Sequence, residues 1–376
     1  MLSRSTGLRS RISPTNMELL MIEQRRFIEY AEHGGCAAKL DATRLQGLLA
    51  PFANDRTGWT DAGVATVGGR RYASSVDVVL PMIDDPALFG QIVVTHVLSD
   101  LYAVGATPVF ALNILGVPKT PMQDFEGREL SEEQEADAID EIDANVKAML
   151  CAADAMLEEI GVARLGGHTL MLEALAFGLA ATGTLPEGRV ISNDAAEPGH
   201  LLVLTKPVGT SIATKCWKGN SEIRERFADV VEGMLRSNRD ASEAMRGLER
   251  CACTDITGFG LLGHLQNMLS ASQVSAVIEV AEVPVYESVA AAIKPEHSTR
   301  IFKSNLAFVE RYADDLSELS DIERLLLIDA QISGGLLVSL PPKQVDSYLE
   351  ELRERGVSGV VIGSVASGEP GRISLV

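Results

Sequence analysis

A chain of 376 residues is longer than one typical domain and predicts two domains of roughly 150–200 residues each. The formal net charge of −19 argues against general binding to nucleic acids or membrane surfaces, although a metal ion or a helix N-terminus can still hold a phosphate in an acidic protein. The five cysteines are odd in number and show no CxxC spacing, which disfavours a disulfide framework or a zinc site and makes a reducing cytoplasm the expected location.

The N-terminal region contains the first candidate for chemistry. Its first sixteen residues include Arg and Ser but no acid, which fits an organellar transit peptide or an extension upstream of a second start at Met17. A short helix is predicted for residues 17–31, and the loop Gly34-Gly35-Cys36-Ala37-Ala38-Lys39 follows it. The charge of Lys39 favours the nucleophilic thiolate of Cys36. The alternative is an ordinary thiol in a turn of small residues.

Residues 42–80 predict a helix followed by a β-hairpin. The helix covers residues 42–50, and the hairpin pairs Gly63–Val67 with a strand at 72–80 across a Gly68-Gly69 turn. Asp77 lies inside the second strand, which is otherwise largely apolar.

The next predicted element is a helix with clear signals at both ends. Asp85 suits the N-cap, Pro86 the first helical position and Gly105 the C-terminal cap. Asp100 lies on the same face as three valines, where an uncompensated carboxylate is costly. Either Asp100 pairs with an arginine or a backbone amide, or Asp77 and Asp100 both face a cation site. This stretch alone does not decide between the two interpretations.

Strands and helices continue to alternate up to a domain boundary. This alternation predicts an α+β or mixed α/β layer. An acidic stretch with Gly and Pro at 185–198 marks the boundary, so we expect an extension at 1–29, an N-terminal domain at 30–190 and a C-terminal domain at 191–376. The predicted elements are strands at 107–117, 162–165 and 174–183, a helix at 131–160 and a turn at Gly166-Gly167-His168.

The second domain contains a glycine-rich segment at 258–263. It satisfies GxGxxG, the dinucleotide fingerprint, but that fingerprint requires a strand immediately before it. The preceding residues are predicted to end a helix, so we reject a dinucleotide-binding fold. The segment then predicts a loop that opens a helix near Leu261, with free N–H groups suited to a phosphate and Asp255 suited to its metal. The other predicted elements are strands at 201–205 and 336–340, helices at 221–237 and 240–250, and a tight turn at 331–335.

Together these motifs resemble one family, selenophosphate synthetase, also called selenide, water dikinase, in the aminoimidazole-ribonucleotide-synthetase-like superfamily. The resemblance covers roughly residues 30–372, and the block at 254–264 is its most specific part. It implies a two-domain fold of the α/β (α+β) class, in which an N-terminal mixed sheet with helices dimerises and binds ATP, followed by a C-terminal α/β domain. The matching segments are 36–39, 77–81, 84–100, 166–168, 205–207, 254–264 and 333–337.

The resemblance also implies a reaction and a set of site residues. In the family, ATP, selenide and water give selenophosphate, AMP and phosphate. By position, Cys36 and Lys39 are the implied catalytic residues, and Asp61, Asp100 and Asp255 the implied ligands of Mg²⁺, with K⁺ as a further candidate ion. Phosphoryl transfer depends on charge neutralisation and positioning more than on covalent chemistry, and carboxylates with a lysine supply both. The residues implied to bind ATP or its phosphates are Lys39, Asp77, Asp100, Gly166, Gly167, His168, Thr257 and Gly258.

Three departures from the family pattern bear on the metal site. Where the family has an Asp pair, whose first member binds metal, the chain has Thr60-Asp61, and alternation along a strand would turn Asp61 to the opposite side. An acidic turn of the family is apolar here, with Met171 in the place of an acid, and Ile332 replaces a threonine. Because a threonine hydroxyl is a poor ligand for Mg²⁺, we expect weaker magnesium dependence or one ion fewer.

Three hypotheses remain open. The first is an active cytoplasmic homodimer that uses ATP and selenide and has neither nucleic acid nor membrane as a partner. The second is a catalytically weak paralogue that binds a nucleotide and regulates. The third is another ATP-dependent enzyme of the same superfold, such as a thiamine-phosphate kinase or a hydrogenase-maturation dehydratase. Cys36 and Lys39 favour the first hypothesis, because a binding module has no evident need for a thiol in a glycine-led loop.

Overall fold

The computed structural model describes residues 27–31, 44, 48, 60–119, 131–187, 190–217 and 223–376, without the side chains of residues 223 and 224. Cys36 and Lys39 lie outside the described residues, as do most of the predicted helices at 17–31 and 42–50. Of the first of these helices, the structure describes a 3-10 helix at Phe27–Tyr30, and both of its aromatic rings are buried.

The N-terminal half is built on a mixed five-stranded sheet. Its strands are β1 (Gly63–Val67), β2 (Arg70–Val79), β3 (Thr107–Pro118), β4 (Ala163–Leu172) and β5 (Ala176–Thr184). They lie in the order β1-β2-β5-β3-β4. The predicted hairpin is confirmed by the antiparallel pairing of β1 with β2. β3 and β4 run parallel, and β5 is antiparallel to both β2 and β3.

Two long helices, α1 (Pro86–Ala103) and α2 (Glu132–Ile160), pack against each other beside this sheet. The predicted caps of α1 are confirmed: the Leu88 N–H donates to Asp85 at 3.0 Å, and Gly105 adopts a φ of +75°. A capping box at Ser131 begins α2. α1 is apolar on nearly all sides and correspondingly buried, as expected for a helix enclosed by several neighbouring elements.

One face of the N-terminal sheet remains open and apolar. Along β2 the odd-numbered side chains turn towards the buried side, whereas Val76 and Val78 are exposed. Exposed apolar side chains on neighbouring strands extend this open face, so that it forms a contiguous apolar patch and not a set of scattered surface residues. These are Val67, Leu112, Leu170 and Leu172, which the strand pairing places on the same face as Val76.

The predicted turn at Gly166–His168 is wrong, because these residues lie inside the continuous edge strand β4. The pairing with β3 shifts between Arg164 and Gly167, so that β4 carries one extra residue there. Gly166 takes a φ of +111° at this bulge, and a Cβ on Gly167 would lie 2.1 Å from the Asn113 carbonyl oxygen. The two glycines therefore permit a bulge within the strand and do not end it.

The C-terminal half contains a six-stranded mixed sheet in the order β11-β8-β10-β6-β9-β7. Its strands are β6 (Leu201–Leu204), β7 (Ala252–Asp255), β8 (Ser275–Ile278), β9 (Leu336–Leu340), β10 (Val360–Ala366) and β11 (Ile373–Leu375). Its helices are α3 (Thr210–Trp217), α4 (Ile223–Arg226), α5 (Ala228–Leu235), α6 (Arg239–Ala244), α7 (Gly260–Ser272), α8 (Glu287–Ala292), α9 (Phe302–Val309), α10 (Asp321–Ile328) and α11 (Pro342–Glu354). The two sheets and their helices confirm the predicted α/β class.

Several predicted elements of this half are corrected. The helix predicted at 221–237 is interrupted at Phe227, and α3 precedes it without having been predicted. A strand, β7, ends two residues before the glycine-rich segment, so the prediction that a helix ends there is wrong. β7 is nevertheless an edge strand antiparallel to β9, unlike the parallel strand of a dinucleotide-binding unit. Its four residues are too few to show a periodicity, and pairing with β9 decides their conformation.

Within the described part of the chain, no helix is both long and apolar enough to cross a membrane.

Candidate functional site

Four aspartates from separate parts of the fold come together and are called here the acidic cluster: Asp61, Asp77, Asp100 and Asp255. Burial raises the pKa of Asp100 well above its ordinary value, and the negative charges of Asp255, Asp61 and Asp77 raise it further. Like charges have such effects on one another only over short distances in a poorly solvated region. Asp77 lies on β2, Asp100 on α1 and Asp255 at the end of β7, so both halves of the chain supply the cluster.

Asp61 belongs to this cluster, and the expectation that it turns away is wrong. It lies in a bend before β1, where the side-chain alternation of a strand does not apply. The Thr254 hydroxyl donates to Asp61 Oδ1 at 2.9 Å. Burial raises the pKa of Asp61 well above its ordinary value, and the charge of Asp255 raises it further. Thr60 instead donates its hydroxyl to the Ala62 carbonyl at 2.7 Å, so Asp61 supplies the carboxylate of this segment.

Hydrogen bonds orient the other two acids of the N-terminal half. The Ser75 hydroxyl donates to Asp100 Oδ2, and Ser75 lies on the same face of β2 as Asp77. The ring of His96 on α1 donates from Nε2 to Asp77 Oδ2 at 3.0 Å. Of the two interpretations of Asp100 given above, the structure supports the one in which Asp77 and Asp100 share a site.

The glycine-rich loop after Asp255 is held from inside the protein. His264, one turn into α7, accepts the Thr257 N–H at 3.1 Å and the Phe259 N–H at 3.3 Å through Nε2. The prediction of free N–H groups is therefore wrong for these two residues. The Gly258 carbonyl accepts from Asn305 Nδ2 at 3.0 Å. These bonds fix the backbone beside Asp255, which is itself almost fully buried.

Lys206 is a buried lysine near the cluster, and it was not among the site residues predicted from the sequence. Its Nζ donates to the carbonyls of Arg236 at 2.6 Å and Ser333 at 2.9 Å. Burial lowers the pKa of Lys206 to about 7, with a further lowering by Arg236 and an opposing effect of Asp255. The available signal was the lysine between Thr205 and Pro207 at the end of a predicted strand, one of the motifs in the family pattern.

The remaining predicted site residues have different surroundings. Gly166, Gly167 and His168 are exposed on β4, and Met171 on the same strand is 73% exposed. Thr257 and Gly258 lie in the loop directly after Asp255. The four aspartates of the acidic cluster lie close together, as the effects of their charges on one another's pKa values show. The roles of all the predicted site residues stay predictions.

The acidic cluster fits magnesium bound together with phosphate. Among the described residues, no three Asp, Glu, His or Cys side chains are arranged to hold one metal ion by themselves. Mg²⁺ usually takes one or two carboxylates, several waters and substrate phosphates, and rarely an all-protein cage. Burial and, after it, the neighbouring negative charges raise the pKa values of Asp61 and Asp100, and a divalent cation would offset the contribution of those charges.

The chain is similar to known proteins over most of its length. The N-terminal domain of AIR synthase related protein matches residues 59–185, and the C-terminal domain of that family matches residues 197–376. A selenide, water dikinase of Myxococcus xanthus (strain DK1622) is 32% identical over 359 residues, covering 92% of this chain and 96% of that protein. A second, from Citrifermentans bemidjiense, is 31% identical over 361 residues, covering 93% and 99%.

A solved structure shares the fold. AaThiL, complexed with AMPPCP and TMP, superposes with a TM-score of 0.64 at 17% identity, covering 89% of this chain and 93% of that chain. At this level of identity the likeness concerns the fold alone.

We expect Asp100→Asn to stabilise the metal-free protein. An acid whose pKa is raised on folding binds more protons in the native state than in the unfolded state. Its ionisation therefore lowers the free energy of unfolding. This loss is absent at low pH and is complete once the pH exceeds the raised pKa. The amide removes this penalty. The melting temperature at pH 8 in a chelator should therefore rise, and added Mg²⁺ should stabilise the variant less than the wild type.

Asp346→Asn on the exposed side of α11 is the matched control and should leave both melting temperatures unchanged. A melting temperature of Asp100→Asn at or below that of the wild type, across pH 6 to 8, would contradict the penalty that burial and neighbouring charges impose on ionised Asp100.

Proposed function

The chain belongs to the selenide, water dikinase family, and we propose that it makes selenophosphate from ATP, selenide and water, releasing AMP and phosphate. The observation that carries the proposal is the acidic cluster, which separate elements of both halves bring to one place. Buried like charges are unfavourable without a compensating partner. Magnesium with a polyphosphate is a partner of the required charge and chemistry.

Each acid has a place in this proposal. Asp61, Asp100 and Asp255 hold Mg²⁺, and Asp77 takes part with Asp100 in binding ATP. Bound Mg²⁺ supplies neutralisation of the negative charge on the phosphates during transfer. The Ser75 and Thr254 hydroxyls keep the carboxylates of Asp100 and Asp61 in orientation. The site thus holds its charged groups in fixed positions before the substrate binds. Phosphoryl transfer depends on such positioning and on charge neutralisation.

Other parts of the proposed ATP site surround the cluster. The exposed segment 166–168 of β4, with the loop residues Thr257 and Gly258, is proposed to contact the nucleotide. K⁺ is proposed as a further ion of the site. These assignments follow from the positions that match the family pattern.

Cys36 and Lys39 complete the proposed chemistry. Cys36 handles selenium, because a thiolate is a good nucleophile, and the lysine three residues later in the sequence favours that form. Lys39 places a compact positive charge at the phosphates. Their presence favours a working enzyme over a nucleotide-binding regulator.

We also propose that the protein is a cytoplasmic homodimer formed through the open face of the N-terminal sheet. This face is apolar, and a second copy of the same face is a complementary partner in a two-fold dimer. The partner implied here is therefore the chain itself.

Lys39→Ala is expected to reduce selenide-dependent ATP consumption by about 100-fold or more, because an electrostatic contact to the transferring group is lost. Release of AMP and phosphate from ATP, with and without selenide, measures it. Lys119→Ala removes an exposed lysine paired with Glu173 and is the matched control. Near-normal turnover of Lys39→Ala would remove Lys39 from the mechanism.

Cys36→Ser tests the selenium role separately. It keeps size and polarity but removes a low-pKa nucleophile, so the yield of selenophosphate should fall more steeply than the affinity for ATP. Cys151→Ser on α2, an exposed cysteine, is the control. Equal loss of yield and affinity, or loss of neither, would count against a role in selenium handling.

The dimer is tested by Val76→Glu, which places a charge on the open face at a residue that is 59% exposed. Analytical ultracentrifugation should show a wild-type dimer and a largely monomeric variant, because a buried unpaired charge is costly. Ile139→Glu on the exposed side of α2 is the control and should remain dimeric. A monomeric wild type, or an unaffected Val76→Glu, rejects this surface as the interface.

A further inference from the structure

Asp77 is connected to the C-terminal half through a chain of hydrogen bonds that centres on His96. The side chain of His96 is completely buried, and its Nε2 lies 3.0 Å from Asp77 Oδ2. On its other side, Nδ1 accepts the Ser333 N–H at 3.0 Å. Asp77 lies on β2, His96 on α1 and Ser333 just before β9, so three elements of two halves meet at this ring.

The Ser333 N–H determines which nitrogen of His96 carries the proton. A backbone N–H can only donate, so Nδ1 must be the acceptor. In the neutral ring the proton then lies on Nε2, the nitrogen that faces Asp77. His96 is therefore oriented by the C-terminal half so that it donates to a carboxylate of the N-terminal half.

Ser333 is itself held firmly. Its carbonyl accepts from Lys206 Nζ at 2.9 Å, and its hydroxyl donates to Thr95 Oγ1 at 3.3 Å. Ser333 adopts a φ of +49°, a conformation that a residue other than glycine keeps only when its surroundings determine it. The next residue, Gly334, lies so close to the backbone before the glycine-rich loop that a Cβ would be 2.1 Å from the Ile256 carbonyl oxygen.

We propose that His96 is a positioning residue for Asp77, and that the Ser333 peptide fixes the orientation of its ring. The C-terminal half thereby sets the direction of a carboxylate that the N-terminal half carries. The segment 331–335, which the sequence predicts as no more than a tight turn, is on this account the element that aligns the two sides of the acidic cluster. The proposal rests on the proposed function in so far as Asp77 takes part in binding ATP.

Two substitutions of His96 separate its two hydrogen bonds. The amide nitrogen of glutamine reaches the position of the histidine Nε2, so His96→Gln keeps a donor for Asp77 and loses the acceptor for Ser333. The amide oxygen of asparagine takes the position of Nδ1, so His96→Asn keeps the acceptor and loses the donor. Loss of a partner that orients a ligand typically costs about 10–100-fold in affinity or activity.

The measurements are the affinity for a non-hydrolysable ATP analogue with Mg²⁺, by calorimetry, and the KM and kcat of selenide-dependent ATP consumption. His96→Asn should weaken the affinity and raise the KM by about 10–100-fold. His96→Gln should lose less than His96→Asn but more than the Ser242→Ala control, because it keeps the donor for Asp77 without the Ser333 bond that orients it. A His96→Gln variant with wild-type affinity would overturn the role given to Ser333. Ser242→Ala is the matched control. It removes another hydrogen bond between the C-terminal half and α1, from Ser242 Oγ to the Tyr102 carbonyl at 2.7 Å. Tyr102 lies near the C-terminal end of α1 and is not part of the hydrogen-bond chain from Ser333 to Asp77.

The outcomes distinguish this inference from the proposed function. Equal losses of affinity in the two His96 variants, or a greater loss in His96→Gln, would show that the ring only supports packing or Ser333 and would overturn the proposal. A wild type that binds the analogue without selenide-dependent turnover would overturn the proposed function alone, and the affinities would still decide the role of His96. A wild type that does not bind the analogue would overturn both.

Discussion

The repulsion among four carboxylates is the constraint on which the arrangement of this protein depends. Asp61, Asp77, Asp100 and Asp255 are each held by a different segment, and the pKa shifts of Asp61 and Asp100 show that their charges act on one another. A cluster of this kind lowers the stability of the folded chain until a cation is bound. Its geometry must therefore be imposed by the surrounding packing, because the acids themselves would move apart.

The helix α1 supplies most of that packing. Leu98 and Leu101 are fully buried, and so are most of the other side chains of the helix. Its contacts on one side are with the N-terminal sheet and α2. On the other side the Thr95 hydroxyl donates to the Met234 carbonyl at 2.8 Å, and Asn238 Nδ2 donates to Ser99 Oγ at 2.8 Å. One helix thus joins the two halves and places Asp100 between them.

The two faces of the N-terminal sheet serve different purposes. The covered face packs on α1 and turns Ser75 and Asp77 towards the acidic cluster. The open face carries valines and leucines where an isolated antiparallel sheet would usually present polar residues to water. Since side chains alternate along β2, the same strand contributes to the acidic cluster with one set of residues and to the proposed dimer with the other.

The sequence alone determined the features that depend on neighbouring residues. Asp85, Pro86 and Gly105 predicted the bounds of α1, because caps act within one turn of a helix. The helix predicted at 131–160 is α2, and the structure shows that a capping box at Ser131 fixes its start. The residues at 336–340 predicted β9, and the ordered motifs predicted the family. Only the tertiary structure decided the side to which Asp61 turns, the continuation of β4 through Gly166, the formation of β7, and the contacts of His96 and Lys206. Each of these depends on a partner far away in the chain, such as Thr254 for Asp61 and Ser333 for His96, and local sequence patterns carry no information about such pairs.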